Sequence, residues 1–143
     1  MTDFDRAAFA AFLVSGNATF TATNTQTGNR FTYRVRQKDT LYFVAVLTGP
    51  DNIADYTFLG TIFPPRSAGS DPLRGLAYYH GKRSSISPDA QSARAFEWLF
   101  RWRYTLPEFI EIDPMGRCGR CGRSLTTPES VRTGLGPICA GRQ

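Results

Sequence analysis

The chain is short of the residues on which most enzyme chemistry draws. Its 143 residues include one histidine, three cysteines and two lysines. His80 has no Ser/His/Asp set, no paired carboxylates and no Gly-rich phosphate loop to work with. Nucleophilic and general-base catalysis need such partners, so the sequence reads as non-enzymatic. Long apolar runs are also missing. The longest, Leu41 to Leu47, is the size of a strand and far below the ~20 residues of a membrane helix. The start, Met1-Thr2-Asp3-Phe4-Asp5, is acidic and offers no cleavable leader. Cysteine is absent before position 118, and an odd count of three suits metal binding better than a disulfide scaffold. These absences together predict a soluble, cytoplasmic protein that makes no use of a membrane.

What is present is enough for a folded core. Hydrophobic residues make up 41% of the chain and aromatic residues 13%, which argues against disorder. The net charge is +5, carried by fifteen arginines against two lysines. The planar guanidinium fork suits phosphate, although a GC-rich coding sequence produces the same bias.

Residues 3–14 predict a helix, capped by Thr2 with Asp3 and Asp5 at its positive end, and striped by Phe4, Ala8, Phe9, Phe12 and Leu13. Gly16-Asn17 stops it. Ala18, Phe20 and Ala22 alternate with threonines as a half-buried strand, and Thr27-Gly28-Asn29 turns the chain into a returning strand from Arg30 to Lys38. Leu41–Thr48 is apolar on both faces and reads as a central strand. Tyr56–Phe63 and Leu76–His80 follow as strands, separated by a Pro- and Gly-rich loop. Ser87-Pro88-Asp89 predicts the start of a helix running to about Tyr104, with Phe96, Leu99, Phe100 and Trp102 buried and Glu97 paired with Arg94 and Arg101. Phe109–Ile112 is a last short strand, and Thr127-Pro128-Glu129 opens a short helix ended by Gly134. The order indicates an α+β fold: a mainly antiparallel sheet with two helices over residues 1–112, and a zinc-knuckle-like module over 113–143. Such a module is too small to hold a core without metal.

The cysteines carry the sharpest signal. Cys118-Gly119-Arg120-Cys121 brings two thiolates to one point, and after seventeen intervening residues Cys139 sits in its own Gly-rich turn. A redox pair would open a helix after a strand, and no such context surrounds this one. The pattern therefore predicts a structural Zn2+ held by Cys118, Cys121 and Cys139, with the fourth position to be filled. His80 offers the imidazole that better partners three thiolates. Asp113, five residues before Cys118, stands close behind it; the sequence leaves both open with a slight lean to His80.

The second constellation is basic. In Arg30-Phe31-Thr32-Tyr33-Arg34-Val35-Arg36-Gln37-Lys38, strand geometry puts Arg30, Arg34, Arg36 and Lys38 on one face and Phe31, Tyr33 and Val35 on the other. Those cations span about 27 Å, enough to track several phosphates. Lys82 and Arg83 form a smaller patch, and Arg117, Arg120, Arg123 and Arg132, with Arg142, surround the cysteines. Tyr78, Tyr79, Trp98 and Trp102 are candidates for stacking on bases, with core packing the commoner role.

The run Cys118-Gly-Arg-Cys121-Gly-Arg-Ser-Leu125-Thr-Thr-Pro128-Glu-Ser130, followed by Gly134-Leu-Gly136-Pro137-Ile-Cys139, resembles a small zinc-ribbon-like family of unknown function found in bacteriophages, plasmids and actinobacteria. The resemblance covers about the last thirty residues. It implies metal binding through the three cysteines and a mobile-element accessory protein in a bacterial host cell, and it supplies no reaction. Two functions follow as expectations. One is a non-enzymatic zinc-binding protein that contacts nucleic acid through the arginine-rich surfaces. The other is an anti-CRISPR-like inhibitor that binds a host nucleic-acid-processing protein complex.

Overall fold

The alternation of threonine with Ala18, Phe20 and Ala22 forms strand β1, Asn17–Asn24, whose alternate residues are buried. Gly28, at φ +80°, turns the chain back into β2, Arg30–Lys38. Asp39 takes the left-handed conformation that lets the next hairpin close in two residues before β3, Leu41–Leu47. Strands β4 (Tyr56–Phe63), β5 (Ala77–His80) and β6 (Ile110–Asp113) complete one sheet in the order β5-β4-β3-β2-β1-β6. Every neighbouring pair is antiparallel. The computed structural model describes residues 6–50, 54–64 and 75–114. The predicted cap at Thr2, Asp3 and Asp5, most of the 64–75 loop, and the cysteine segment with its short helix lie outside them.

Helix α1, Phe9–Leu13, follows a single 3-10 turn at Arg6–Ala8, so the described helical stretch is shorter than the predicted 3–14. Helix α2 spans Gln91–Arg101 rather than reaching from Ser87 to Tyr104. The Ser87 hydroxyl accepts from the Asp89 amide, and its carbonyl accepts from the Ala90 amide. This closes a separate turn, and Ala90, in an extended conformation, is the cap residue. At the far end, turn bonds replace the helical ladder, and Trp102 emerges 43% exposed instead of buried. Ala93, Phe96, Leu99 and Phe100 form the buried stripe. The Glu97–Arg101 pair, 3.7 Å apart, lies in solvent and adds little.

Both helices pack on the same face of the sheet. A chain of aromatic contacts runs through this layer: Phe9 meets Phe20 edge-on at 5.3 Å, and Phe20 meets Tyr33 at 5.7 Å. Tyr33 then meets Phe96 at 5.1 Å, and Phe96 meets Tyr78 at 4.8 Å. The Tyr33 hydroxyl reaches across to donate to the Ser92 carbonyl at 2.7 Å. Burial, and secondarily Tyr78, raises the Tyr33 pKa well above the ordinary tyrosine range. Opposite the Val44/Ala45 step, β4 carries an extra residue, Leu59, so that Phe58 and Gly60 face opposite sides. Gly60 lies on the helix side beneath the Tyr78 ring: a Cβ there would fall 2.5 Å from the Tyr78 hydroxyl and from the Tyr79 carbonyl.

Candidate nucleic-acid interface

The antiparallel register fixes what the other face of the sheet carries. Tyr33 and Val35 go to the core with no exposed surface, so Arg34 and Arg36 point away from the helices, as do Arg30 and Lys38. Among the described residues no helix covers this side. Reading across the strands, one row runs Asn17, Arg36, Phe43, Thr61 and Tyr79. The next row places Arg34 between Thr19 and Ala45, with Phe58 beyond. Lys38 stands opposite Leu41. The open face is thus divided at β2. Threonines, arginines and two acids lie on the β6 side, and apolar and aromatic groups lie on the β5 side.

The four predicted cations are not equivalent. Arg30 shares a row with Thr23 and Glu111, two strand spacings or about 10 Å away, so a carboxylate moderates that end. Arg36 and Lys38 are exposed at the other end. Arg34 is half-buried, and its guanidinium lies 4.2 Å over the Tyr56 ring. Burial lowers its pKa, the neighbouring Arg36 adds to that shift, and Tyr56 opposes it.

Lys82 and Arg83 join the same surface from the β5 edge. They follow His80 and Gly81 into a tight turn pinned to the sheet: the Ser84 hydroxyl donates to the Phe58 carbonyl at 2.6 Å, and the Ser84 amide donates to the Gly81 carbonyl at 3.1 Å. An open groove of about 1030 Å³ is floored by Leu41, Phe58, Phe63 and Tyr79 and rimmed by Lys82 and Arg83. Phe43, Phe63 and Tyr79 are 37%, 39% and 57% exposed, and the last two rings meet edge-on at 5.7 Å.

Of the aromatics singled out from sequence, only Tyr79 reaches this surface. Tyr78 turns inward to Phe96 and Phe100. Trp98 and Trp102 lie on the helix side, where Trp98 also meets Phe109 at 6.2 Å. Sequence reasoning missed Phe43, Phe58 and Phe63. Their signal was positional: in β3 and β4 they take the face that the arginines take in β2.

The two candidates for the fourth metal position stand far apart. His80 is in edge strand β5, and its cross-strand partner Gly60 puts it on the helix side. Its Nε2 lies 2.8 Å from the Ile86 carbonyl. A carbonyl only accepts, so Nε2 donates, and in the tautomer that fits this bond the lone pair falls on Nδ1. That is the form in which histidine ligates metals, so the ring itself fits the task. Asp113 ends β6 at the opposite edge and pairs with Thr21, which puts it on the open face. Five strand spacings, about 24 Å, separate β5 from β6. Among the described residues no group of three or more His, Cys, Asp or Glu side chains is arranged to hold a metal. Cys118, Cys121, Cys139, Arg117, Arg120, Arg123 and Arg132 lie outside them. No described helix is long and apolar enough to cross a membrane.

Residues 111–143 match a family model described as "Family of unknown function (DUF6011)". The match begins inside β6 and takes in all three cysteines. No curated protein and no solved structure matches the chain.

Proposed function

We propose that this protein is a non-enzymatic, zinc-containing module that contacts nucleic acid through the open face of its sheet. The observation that carries this reading is the gathering of Arg34, Arg36 and Lys38 on the face opposite both helices. Lys82 and Arg83 extend the positive surface from the far edge. Cations in such an array track phosphates by displacing condensed counterions. The sequence supplies further cations around the cysteines, Arg117, Arg120, Arg123 and Arg132, in the segment that matches the family. Zn2+ held by Cys118, Cys121 and Cys139 folds that segment. Chain length favours Asp113 as its fourth ligand. The five residues from Asp113 to Cys118 reach at most about 18 Å, so a site at Asp113 is met by a short approach. One at His80, five strand spacings away, would need those residues almost fully extended across the sheet. In this reading the protein is a mobile-element accessory working in the cytoplasm of a bacterial host.

The test is whether protein purified without nuclease treatment carries nucleic acid, seen as a raised 260/280 nm absorbance ratio that falls to the protein value in high salt. Protein free of nucleic acid, and not retaining an added oligonucleotide at low salt, would contradict the reading. That result would favour the inhibitor of a host nucleic-acid-processing complex in its place.

A further inference from the structure

The open face carries more than charge. Arg36 and Lys38 border an aromatic strip on one side, and Lys82 and Arg83 border it on the other. Between them stand Phe43, Phe63 and Tyr79, with a good part of each ring exposed. The rows of the sheet space these groups over three strand intervals, or about 14 Å from β2 to β5. Exposed rings between two lines of cations are poorly matched to a duplex, whose base faces are already stacked on one another and whose outer surface is phosphate. They match a single strand, whose splayed bases offer ring faces while its backbone seeks cations on either side.

We infer that the occupant of this face is single-stranded nucleic acid, with bases stacked on Tyr79, Phe63 and Phe43 and backbone phosphates held by Arg36, Lys38, Lys82 and Arg83. The inference rests on the reading of the open face as a nucleic-acid surface and adds its substrate class. Stacking is indifferent to base identity, because every base has a π face. The site therefore distinguishes strand state rather than sequence. Ser84 contributes as a positioning residue: by tying the 81–86 turn to the Phe58 carbonyl it holds the second line of cations beside the rings.

The experiment compares three fluorescently labelled probes at low salt by anisotropy: an oligothymidylate of about twelve nucleotides, an abasic strand of equal length, and a duplex of equal length. The wild-type chain is expected to bind the base-bearing strand about tenfold more tightly than either other probe. Tyr79→Ala is expected to lower affinity for that strand about tenfold while leaving the abasic strand unchanged, and Tyr79→Phe to retain wild-type binding. Unaltered thermal melting of both variants shows that the sheet is intact. Equal binding of all three probes, with Tyr79→Ala silent, overturns the stacking inference and leaves the charge-based reading standing. Binding to none of the probes overturns both.

Discussion

The two faces of this sheet are made by the same strands and differ in almost every other respect. On one, Phe9, Phe20, Tyr33, Phe96 and Tyr78 interlock beneath two helices and exclude water. On the other, residues one position along the same strands are cations, threonines and half-exposed rings. Because successive side chains alternate, one strand supplies the core with Tyr33 and Val35 and the outer surface with Arg34 and Arg36. The covered face holds the core and the open face lies uncovered among the described residues, so substitutions on the two sides should fail in different ways.

The sharpest contrast is between two phenylalanines. Phe96→Ala is expected to cost about 3–5 kcal/mol, since it empties a site where Tyr33 and Tyr78 both pack. Phe43→Ala, on the open side, is expected to cost less than about 1 kcal/mol. Urea unfolding of the two variants checks this, and comparable losses would erase the distinction between the faces.

A second contrast separates the sheet from the cysteine segment. Cys121→Ser is expected to abolish one bound zinc per chain by elemental analysis. The main cooperative unfolding should shift little, because one buried cluster from Phe9 to Ile112 already joins both helices to the sheet. Asp113→Ala should weaken zinc sharply, and His80→Ala should not.

The covered face also has an alkaline limit. With its folded pKa raised above the unfolded value near 10, the Tyr33 hydroxyl supports folding fully below about pH 10. Above that the unfolded chain loses its proton while the folded one keeps it, so stability falls by about 1.4 kcal/mol per pH unit. Tyr33→Phe should reduce that slope without abolishing it, because burial also raises Tyr78, Tyr42 and Tyr56, and it does so at the expense of the Ser92 hydrogen bond. The smallest effect is expected at Tyr78, whose hydroxyl is buried with no hydrogen-bond partner among the described residues. Tyr78→Phe should be neutral or stabilise by up to about 1 kcal/mol in the same unfolding assay.

Much of the covered face was legible in the sequence because periodicity reports burial directly. The alternation in β1 and β2 and the Phe96-Leu99-Phe100 stripe gave the strands, the helix and the inward residues. The ends of α2 were not legible. Ser87-Pro88-Asp89 has the composition of a helix start, yet its side-chain bond closes a turn that precedes the helix. Trp102 fell just past the last helical residue and so lost the stripe. The aromatic half of the open face was hidden for another reason. Leu41–Leu47 is apolar on both sides and reads as doubly buried, and only cross-strand register shows that Phe43 stands beside Arg36 on the uncovered side. The order β5-β4-β3-β2-β1-β6, which sends His80 and Asp113 to opposite edges, is a long-range property that no local pattern encodes.

If the open face neutralises phosphate as proposed, salt tests it most directly. Affinity for a single-stranded oligonucleotide, measured across salt concentrations, should fall log-linearly for the wild-type chain. The double variant Arg36→Gln/Lys38→Gln should lower that slope by about 1.4, or roughly 0.7 for each lost phosphate contact. A slope unchanged in the double variant, or binding that ignores salt, would contradict the account.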